Sequence, residues 1–206
     1  TGDKNTAVGK GALFANTTAD NNTAVGQDAL LSNTTGGSNT AVGANALDAN
    51  ITQSHNTAIG NSALTANAGA EFNTAVGSES AKSTTTGYSI TAIGKACMLS
   101  NTTGNNNTAC GVNALKDNTT GYGHAAFGNG AGLKLTAGTY YNTAIGYIAL
   151  SENTTGALNT ALGGFSGDTI TTGTNNTCLG YNAQPSSATA SNEVTLGNVN
   201  ISSLRC

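Results

Sequence analysis

Hydrophobic positions recur along the chain with a period of 17 residues. The Gly of each NTAVG-like motif, taken as position 0, occurs twelve times, and the only interval that departs from 17 is one of 18 between Gly128 and Gly146. Position −1 is apolar in all twelve copies, position −2 is Ala in ten, and positions +3 and +4 favour Ala-Leu. We place the extra residue of the long interval near Tyr140 and Tyr141. Twelve copies at a fixed period predict a solenoid in which each repeat stacks on the one before.

Charged residues avoid the hydrophobic positions. No copy has Asp, Glu, Lys or Arg at positions −3 to 0, +3 or +4, and positions +7 to +10 often read Asn-Thr-Thr-Gly. Thr-Ala-Val is typical of a strand, whereas Asn and Gly are typical of turns. The pattern therefore predicts an all-β parallel β-roll or β-helix of about twelve coils with two short strands in each coil. At the usual strand spacing the coils would form a rod about 50 Å long.

The strand positions also predict which faces are covered. Successive strand residues point to opposite faces, so Thr at −3 and Val at −1 share one face and Ala at −2 lies on the other. Both faces are uncharged, and a sheet covered on both sides is typical of such a pattern. We expect the −3 and −1 positions to pack inside the roll. We expect the Ala row to contact another chain or a loop of the same chain, and a parallel homo-oligomer with three chains is the closed arrangement we favour.

The composition excludes several classes of protein. Only 8% of residues are charged and the formal net charge is −3, without a basic run, so nucleic-acid binding is not expected. No apolar stretch has the roughly 20 residues that a membrane-spanning helix needs. Low charge and few aromatic residues are also found in disordered chains, but disorder does not need a fixed period.

The repeats resemble those of a known family. NTAVGxxAL, NTAIGNSAL and NTAIGYIAL are similar to the head repeats of trimeric autotransporter adhesins of the YadA-like type, from Asn5 to about Gln184. That resemblance implies a homotrimer of left-handed parallel β-rolls. The adhesin repeat is usually shorter, and the Asn-Thr-Thr-Gly turn of this chain is an addition to it.

The C-terminal segment carries a second resemblance. Asn192–Cys206 reads NEVTLGNVNISSLRC and is similar to the segment that precedes the self-cleaving intramolecular chaperone domain of phage tail fibres and tailspikes. We therefore divide the chain into a repeat β-roll, residues 1–184, and a repeat-like segment, residues 185–206, that leads to a further domain. The resemblance implies a virion tail fibre or an extracellular, surface-attached location.

Residues that could carry chemistry are scattered. Cys97, Cys110 and Cys178 replace Ala or Val at repeat positions and are expected to be structural thiols, whereas the terminal Cys206 could pair between chains. His55 and His124 lie in separate turns. We interpret both as turn residues, and His124 as a replacement for Asn. In a trimer, three copies of His124 could meet and bind a metal ion, but we favour the turn interpretation. Acidic residues form no pair of the kind a hydrolase needs. No enzyme activity, metal or other cofactor is expected.

Two further sets of residues are candidates for specific roles. Asn at position −4 recurs in nine copies, and stacked Asn side chains can form a ladder of hydrogen bonds that stabilises the rod. Aromatic residues near positions +11 and +12 form a broken line along one edge and could stack on sugar rings of a host glycan, although local packing or contacts between chains would explain them as well. The proposed ladder comprises Asn5, Asn22, Asn39, Asn56, Asn73, Asn107, Asn142, Asn159 and Asn176, and the proposed glycan edge comprises Phe72, Tyr88, Tyr122, Tyr140 and Tyr141.

Three functions compete on these observations. The first is a structural fibre segment that spaces or presents a host cell-surface binding site as a homo-oligomer. The second is an ice-binding solenoid, because Thr recurs at −3, +8 and +9, but we expect the Thr at −3 to be buried beside the apolar −1 row. The third is a glycan-cleaving tailspike, for which the sequence offers no paired acids on one face. We favour the first.

Overall fold

Twelve short strands stack into one parallel sheet in the computed structural model, which describes residues 2–203. The sheet order follows the chain order, and equivalent repeat positions pair, with Thr6 opposite Thr23 and Val8 opposite Val25. Those residues include no α-helix, and hence none that could span a membrane. The predicted parallel β-solenoid with coils of about 17 residues is confirmed. The strands are β1 Thr6–Val8, β2 Thr23–Val25, β3 Thr40–Val42, β4 Thr57–Ile59, β5 Thr74–Val76, β6 Thr91–Ile93, β7 Thr108–Cys110, β8 Ala125–Phe127, β9 Thr143–Ile145, β10 Thr160–Leu162, β11 Thr177–Leu179 and β12 Val194–Leu196.

The interior of the roll is narrow and is filled mainly by Ala and Leu. In the coil of β4, Ala58 at −2 faces Ala63 at +3 and Leu64 at +4, and all three side chains are fully buried. The same three positions form one continuous core along the rod. A coil of 17 residues encloses so little space that only small side chains fit opposite the Leu that half of the coils have at +4.

The predicted assignment of the two strand faces is wrong. Ala at −2 points into the core, whereas Thr at −3 and the larger residue at −1 point outward and are half-buried or exposed. In β10, for example, Ala161 is fully buried and Leu162 retains 44% of its accessible surface. The cause is steric, because a column of Val, Ile, Leu and Phe would not fit in the narrow interior that Ala occupies.

The prediction of two strands per coil is also wrong, because each coil has one. The second side of the coil contains residues at +2 and +4 with left-handed backbone angles, such as Asn45 (φ 56°) and Leu47 (φ 52°). Alternating left-handed residues cannot form an extended strand. Coils still bond across this side, for example from the Leu47 N–H to the Ala63 carbonyl at 3.1 Å. The polar groups of the backbone are thus paired without regular β geometry.

Gly at position 0 is required by both conformation and space. Gly60 has φ 138°, and a Cβ atom placed on it would lie 2.4 Å from the carbonyl oxygen of Gly77 in the next coil. That conformation is accessible essentially to Gly alone. This is the physical reason why Gly occupies position 0 in all twelve repeats.

The extra residue of the long interval lies slightly earlier than predicted. Tyr140 pairs with Tyr122 across a parallel bridge, so the two tyrosines occupy equivalent positions despite their separation of 18 residues. Thr136 also stays in step, because its hydroxyl donates to the Thr154 carbonyl. The additional residue is therefore contained in the turn at Ala137–Gly138, where Gly138 has φ 79° and open space around it. The C-terminal segment continues the roll, since β12 pairs with β11 in register.

Two coils replace the core Leu with Gly and compensate within the same turn. Position +4 is Gly132 in one coil and Gly167 in another, and in both coils position +7 changes from the common Asn to an apolar residue. Leu135 and Ile170 are fully buried and occupy the space that the missing Leu leaves. The two positions therefore act as one packing unit.

Replacement of Ile170 by Asn should lower the free energy of unfolding by about 3 kcal/mol, because it empties the core and buries an amide in its place. The double variant Gly167→Leu, Ile170→Asn should recover most of that loss. It recreates the arrangement of other coils, in which Leu at +4 has φ near 50°, as at Leu150 (φ 51°). Urea denaturation followed by circular dichroism measures both variants. Equal destabilisation by the single and double variants would contradict the packing unit.

Candidate interaction surfaces

An uncharged row of apolar side chains follows the outside of the sheet. We call the twelve residues at position −1 the outer row; it includes Ile93, Phe127 (42% exposed) and Leu179 (43% exposed). Val25, Val42, Val76 and Cys110 are half-buried, and no acidic or basic side chain lies at positions −3 to 0 in any coil. An apolar patch of this length on a single chain is typical of an interaction surface. The outer row is Val8, Val25, Val42, Ile59, Val76, Ile93, Cys110, Phe127, Ile145, Leu162, Leu179 and Leu196.

A row of Thr residues lies beside the outer row. Thr40 and Thr57 at −3 are half-buried and Thr108 and Thr160 are exposed, so the expectation that this row is buried is wrong. The Thr residues at +8 differ, because their hydroxyls donate to a backbone carbonyl of the next coil, as from Thr102 to Thr119 at 3.0 Å. Only the −3 row therefore presents Thr side chains beside the outer row.

The proposed glycan edge begins at a groove beside Phe72. The groove has a volume of about 330 Å³ and is lined by Phe72, Tyr88, Glu71, Thr52, Gln53 and Gly69. Phe72 is 59% exposed, and the His55 ring stacks on it with 5.4 Å between ring centroids and 4° between ring planes. The structure therefore brings Phe72 and Tyr88 together on adjacent coils and adds His55 to them.

The remaining residues of the glycan edge form a separate cluster. Tyr122 and Tyr140 stack with 5.8 Å between ring centroids, and the Tyr141 ring meets both edge-on. The Tyr141 ring lies over Gly123, where a Cβ atom would come within 2.6 Å of it. Gly123 occupies the position that Phe72 and Tyr141 hold in their own coils, so its lack of a side chain makes room for the cluster.

Sequence reasoning missed a third group of aromatic residues. Phe165 lies between Tyr147 and Tyr181 and meets each ring edge-on, at centroid distances of 5.3 and 5.8 Å. These residues occupy positions +1 and +2 of three successive coils, at the corner next to the outer row. The signal was present in the sequence, because aromatic residues at these two positions occur only in those coils.

The Asn residues at −4 connect neighbouring coils through the backbone. The Asn22 side chain donates to the Gly36 carbonyl across its own coil at 2.9 Å and accepts the N–H of Asn39 in the next coil at 2.9 Å. The same pair of bonds recurs in later coils, as at Asn142. Each Asn side chain thus closes one coil and attaches it to the next. It does so through hydrogen bonds to the backbone rather than to another Asn side chain.

A ladder of amide groups does occur, but at position +7. The Asn50 side chain donates to the side-chain oxygen of Asn33 at 2.9 Å, and Asn67 donates to Asn50 at 2.8 Å. The side-chain oxygens of Asn67 and Asn118 are buried without a partner among residues 2–203. In the coil that follows each of them, position +7 is Thr84 or Leu135, neither of which can supply the amide. The sequence pattern indicates only a turn at these Asn residues, so the ladder is a finding of the structure.

His124 takes the place of a −4 Asn and is buried. Its Nδ1 accepts the N–H of Asn142 at 3.2 Å, so the proton lies on Nε2, which donates to the Thr139 hydroxyl at 3.0 Å. Burial lowers the pKa of the imidazole to about 4. Both ring nitrogens therefore make hydrogen bonds like those of the Asn side chain at −4 in other coils, and neither is left to bind a metal ion.

Among residues 2–203, burial shifts the pKa values of two thiols and two carboxyl groups. Burial raises the pKa of Cys97 to about 12 and that of Cys178 to about 11, so both remain thiols. Burial also raises the pKa values of Asp48 and Asp168, which lie seven coils apart. Within residues 2–203, no three His, Cys, Asp or Glu side chains are close enough to hold a metal ion. Cys206 lies outside the described residues.

Comparison of the chain with protein families, with curated proteins and with solved structures finds no match.

Replacement of His124 by Asn should make the protein less sensitive to acid. The folded-state pKa of about 4 lies below the ordinary value of 6.5, so between these values the unfolded chain binds a proton that the folded chain does not. The contribution is complete above pH 6.5, and about 3 kcal/mol of stability is lost as the pH falls to 4. Urea denaturation at pH 7 and pH 4 measures the loss, which should be smaller in the variant by that amount. Equal losses in both proteins would contradict the neutral, buried imidazole.

Proposed function

We propose that this chain is a structural fibre segment of a phage tail fibre or of an adhesin-like surface protein. Three copies of a left-handed β-roll run parallel with their outer rows together. The resulting shaft stands on the virion or at a cell surface, and it spaces or presents a binding site for a host cell surface. It has no catalytic role.

The observation that carries the proposal is the outer row. It runs unbroken along twelve coils, carries no charge and repeats at the strand spacing of about 4.8 Å. A partner that covers it must present apolar groups at the same spacing over the same length. A second copy of the chain meets that requirement, and three copies around one axis cover all their rows at once.

The sequence resemblance supports the same arrangement. The adhesin heads whose repeats this chain resembles are trimers of left-handed parallel β-rolls. The Ala row was predicted to contact another chain, but it lies in the core. In this proposal the outer row makes that contact instead. One uncharged face of the sheet still has to be covered by a partner.

One chain has a mass of 20.2 kDa, and in solution the protein should have three times that mass. Replacement of Ile59 by Asp places a charge in the outer row and should lower the mass to that of one chain or cause a large loss of association. Sedimentation equilibrium measures the mass, and circular dichroism checks that the coil is retained. Ser62→Asp is the matched control, because the equivalent position of another coil carries Asp28.

Cys110 reports which face is covered. In a parallel trimer the Cys110 thiols of neighbouring chains lie at the same level of the shaft, so a short bifunctional maleimide should join chains in a Cys206→Ser background. The further change Cys110→Val should abolish this reaction. A single-chain mass for the unmodified protein would refute the shaft.

Ice binding is the second candidate, and the outward position of the −3 Thr row favours it. Regular rows of Thr on a flat sheet can order water. The outer row argues against this function, because it varies in size from Cys110 to Phe127 between adjacent coils and so breaks the regularity of the surface.

We expect the protein to show no thermal hysteresis, because its Thr row would be covered or interrupted in the assembled shaft. Nanolitre osmometry of the oligomer and of the Ile59→Asp variant measures this. Thermal hysteresis that is lost on replacing Thr57 and Thr74 by Lys would favour ice binding over the shaft.

A further inference from the structure

We propose that the groove beside Phe72 binds a neutral carbohydrate chain laid along the rod. This inference deepens the proposed function, because it assigns the host-surface binding site to particular residues of the shaft. Its first support is the shape of the groove, which is open, about 330 Å³ in volume and lined by two aromatic rings from adjacent coils.

The aromatic side chains provide stacking surfaces. Phe72 is 59% exposed and its ring is backed by the parallel ring of His55, which holds it in place. Tyr88 is 48% exposed and adds a hydroxyl that can donate or accept a hydrogen bond. Flat apolar faces with a polar group at the rim match a sugar ring, which has an apolar C–H face and hydroxyl groups around its edge.

The polar lining selects a neutral ligand. One oxygen of the Glu71 carboxylate accepts the Ser54 N–H at 3.2 Å, which fixes the side chain and leaves its second oxygen for a ligand hydroxyl. The Gln53 side chain is held by the backbone of the same turn and lies beside Thr52. The lining contains one acidic and no basic residue, so an acidic glycan, a nucleic acid or a phosphate would be repelled.

The aromatic line continues beyond the groove and suits an extended ligand. Tyr88, Asn105, Tyr122 and Tyr140 occupy equivalent positions in four successive coils, linked by backbone bonds such as that from the Gly123 N–H to the Asn105 carbonyl. Tyr88 and Tyr122 are two coils apart, about 10 Å by strand spacing. An oligosaccharide that stacks at Phe72 can therefore reach the tyrosine cluster by following the rod.

Saturation-transfer NMR on the intact oligomer tests the proposal, with hexasaccharides of glucose, of mannose and of galactose as separate probes. An oligomer of galacturonic acid and a proline-rich decapeptide serve as comparison ligands. Phe72→Ser and Tyr88→Ser place at each position a residue that another coil already has there, namely Ser38 and Ser54. Tyr181→Asn is the matched control, because it removes an exposed tyrosine from a different corner.

We expect at least one neutral hexasaccharide to bind, and each of the two groove variants to weaken that binding about tenfold. Tyr181→Asn should leave it unchanged. Absence of binding by all three neutral probes, equal binding by the variants, or preference for the acidic oligomer or the peptide would overturn the proposal. Sedimentation of the same samples keeps this result separate from the shaft, since loss of sugar binding in a three-chain particle refutes the groove alone.

Discussion

The stacking of successive coils in register is the interaction on which the whole molecule depends. Each repeat must place its backbone donors, its buried polar side chains and its core side chains directly over those of the preceding coil. The Asn at −4 shows the requirement most clearly, because one side chain closes its own coil and accepts a hydrogen bond from the next. His124 is tolerated because its two ring nitrogens reproduce these bonds. In the separate ladder at position +7, Leu135 cannot supply an amide, and the side-chain oxygen of Asn118 has no partner among residues 2–203.

The narrowness of the coil determines which side of the sheet is available for association. Because the interior has room only for small side chains at position −2, the larger apolar residues of each strand are placed outside. The chain therefore carries its bulkiest strand residues on its surface, in a row that the turns leave open. The proposed glycan edge lies in the turns that precede the strands, beside that face. The repeat unit therefore contributes both to the proposed contact between chains and to the proposed contact with a ligand.

The repeat period and the composition of the strand were sufficient to predict a parallel solenoid, because a strictly periodic chain has few ways to bury its hydrophobic positions. The direction of the strand faces could not be predicted from alternation alone, since alternation separates Ala from Val without saying which is inside. The single strand per coil was missed because Leu47 and its equivalents adopt left-handed angles that residue preferences do not indicate. The partners of Asn33 and Asn50 depend on the distance between coils, and the stacking of His55 on Phe72 depends on the shape of a turn.

The additional residue at Ala137–Gly138 has a consequence for how such a chain can vary. The turn extends outward there while the bonds on either side, at Thr136 and Tyr140, remain in step. The length of this turn can therefore change while the rest of the coil keeps its conformation. Longer loops could be inserted at the same turn of any coil, so that the surface of the rod can vary without a change in its core.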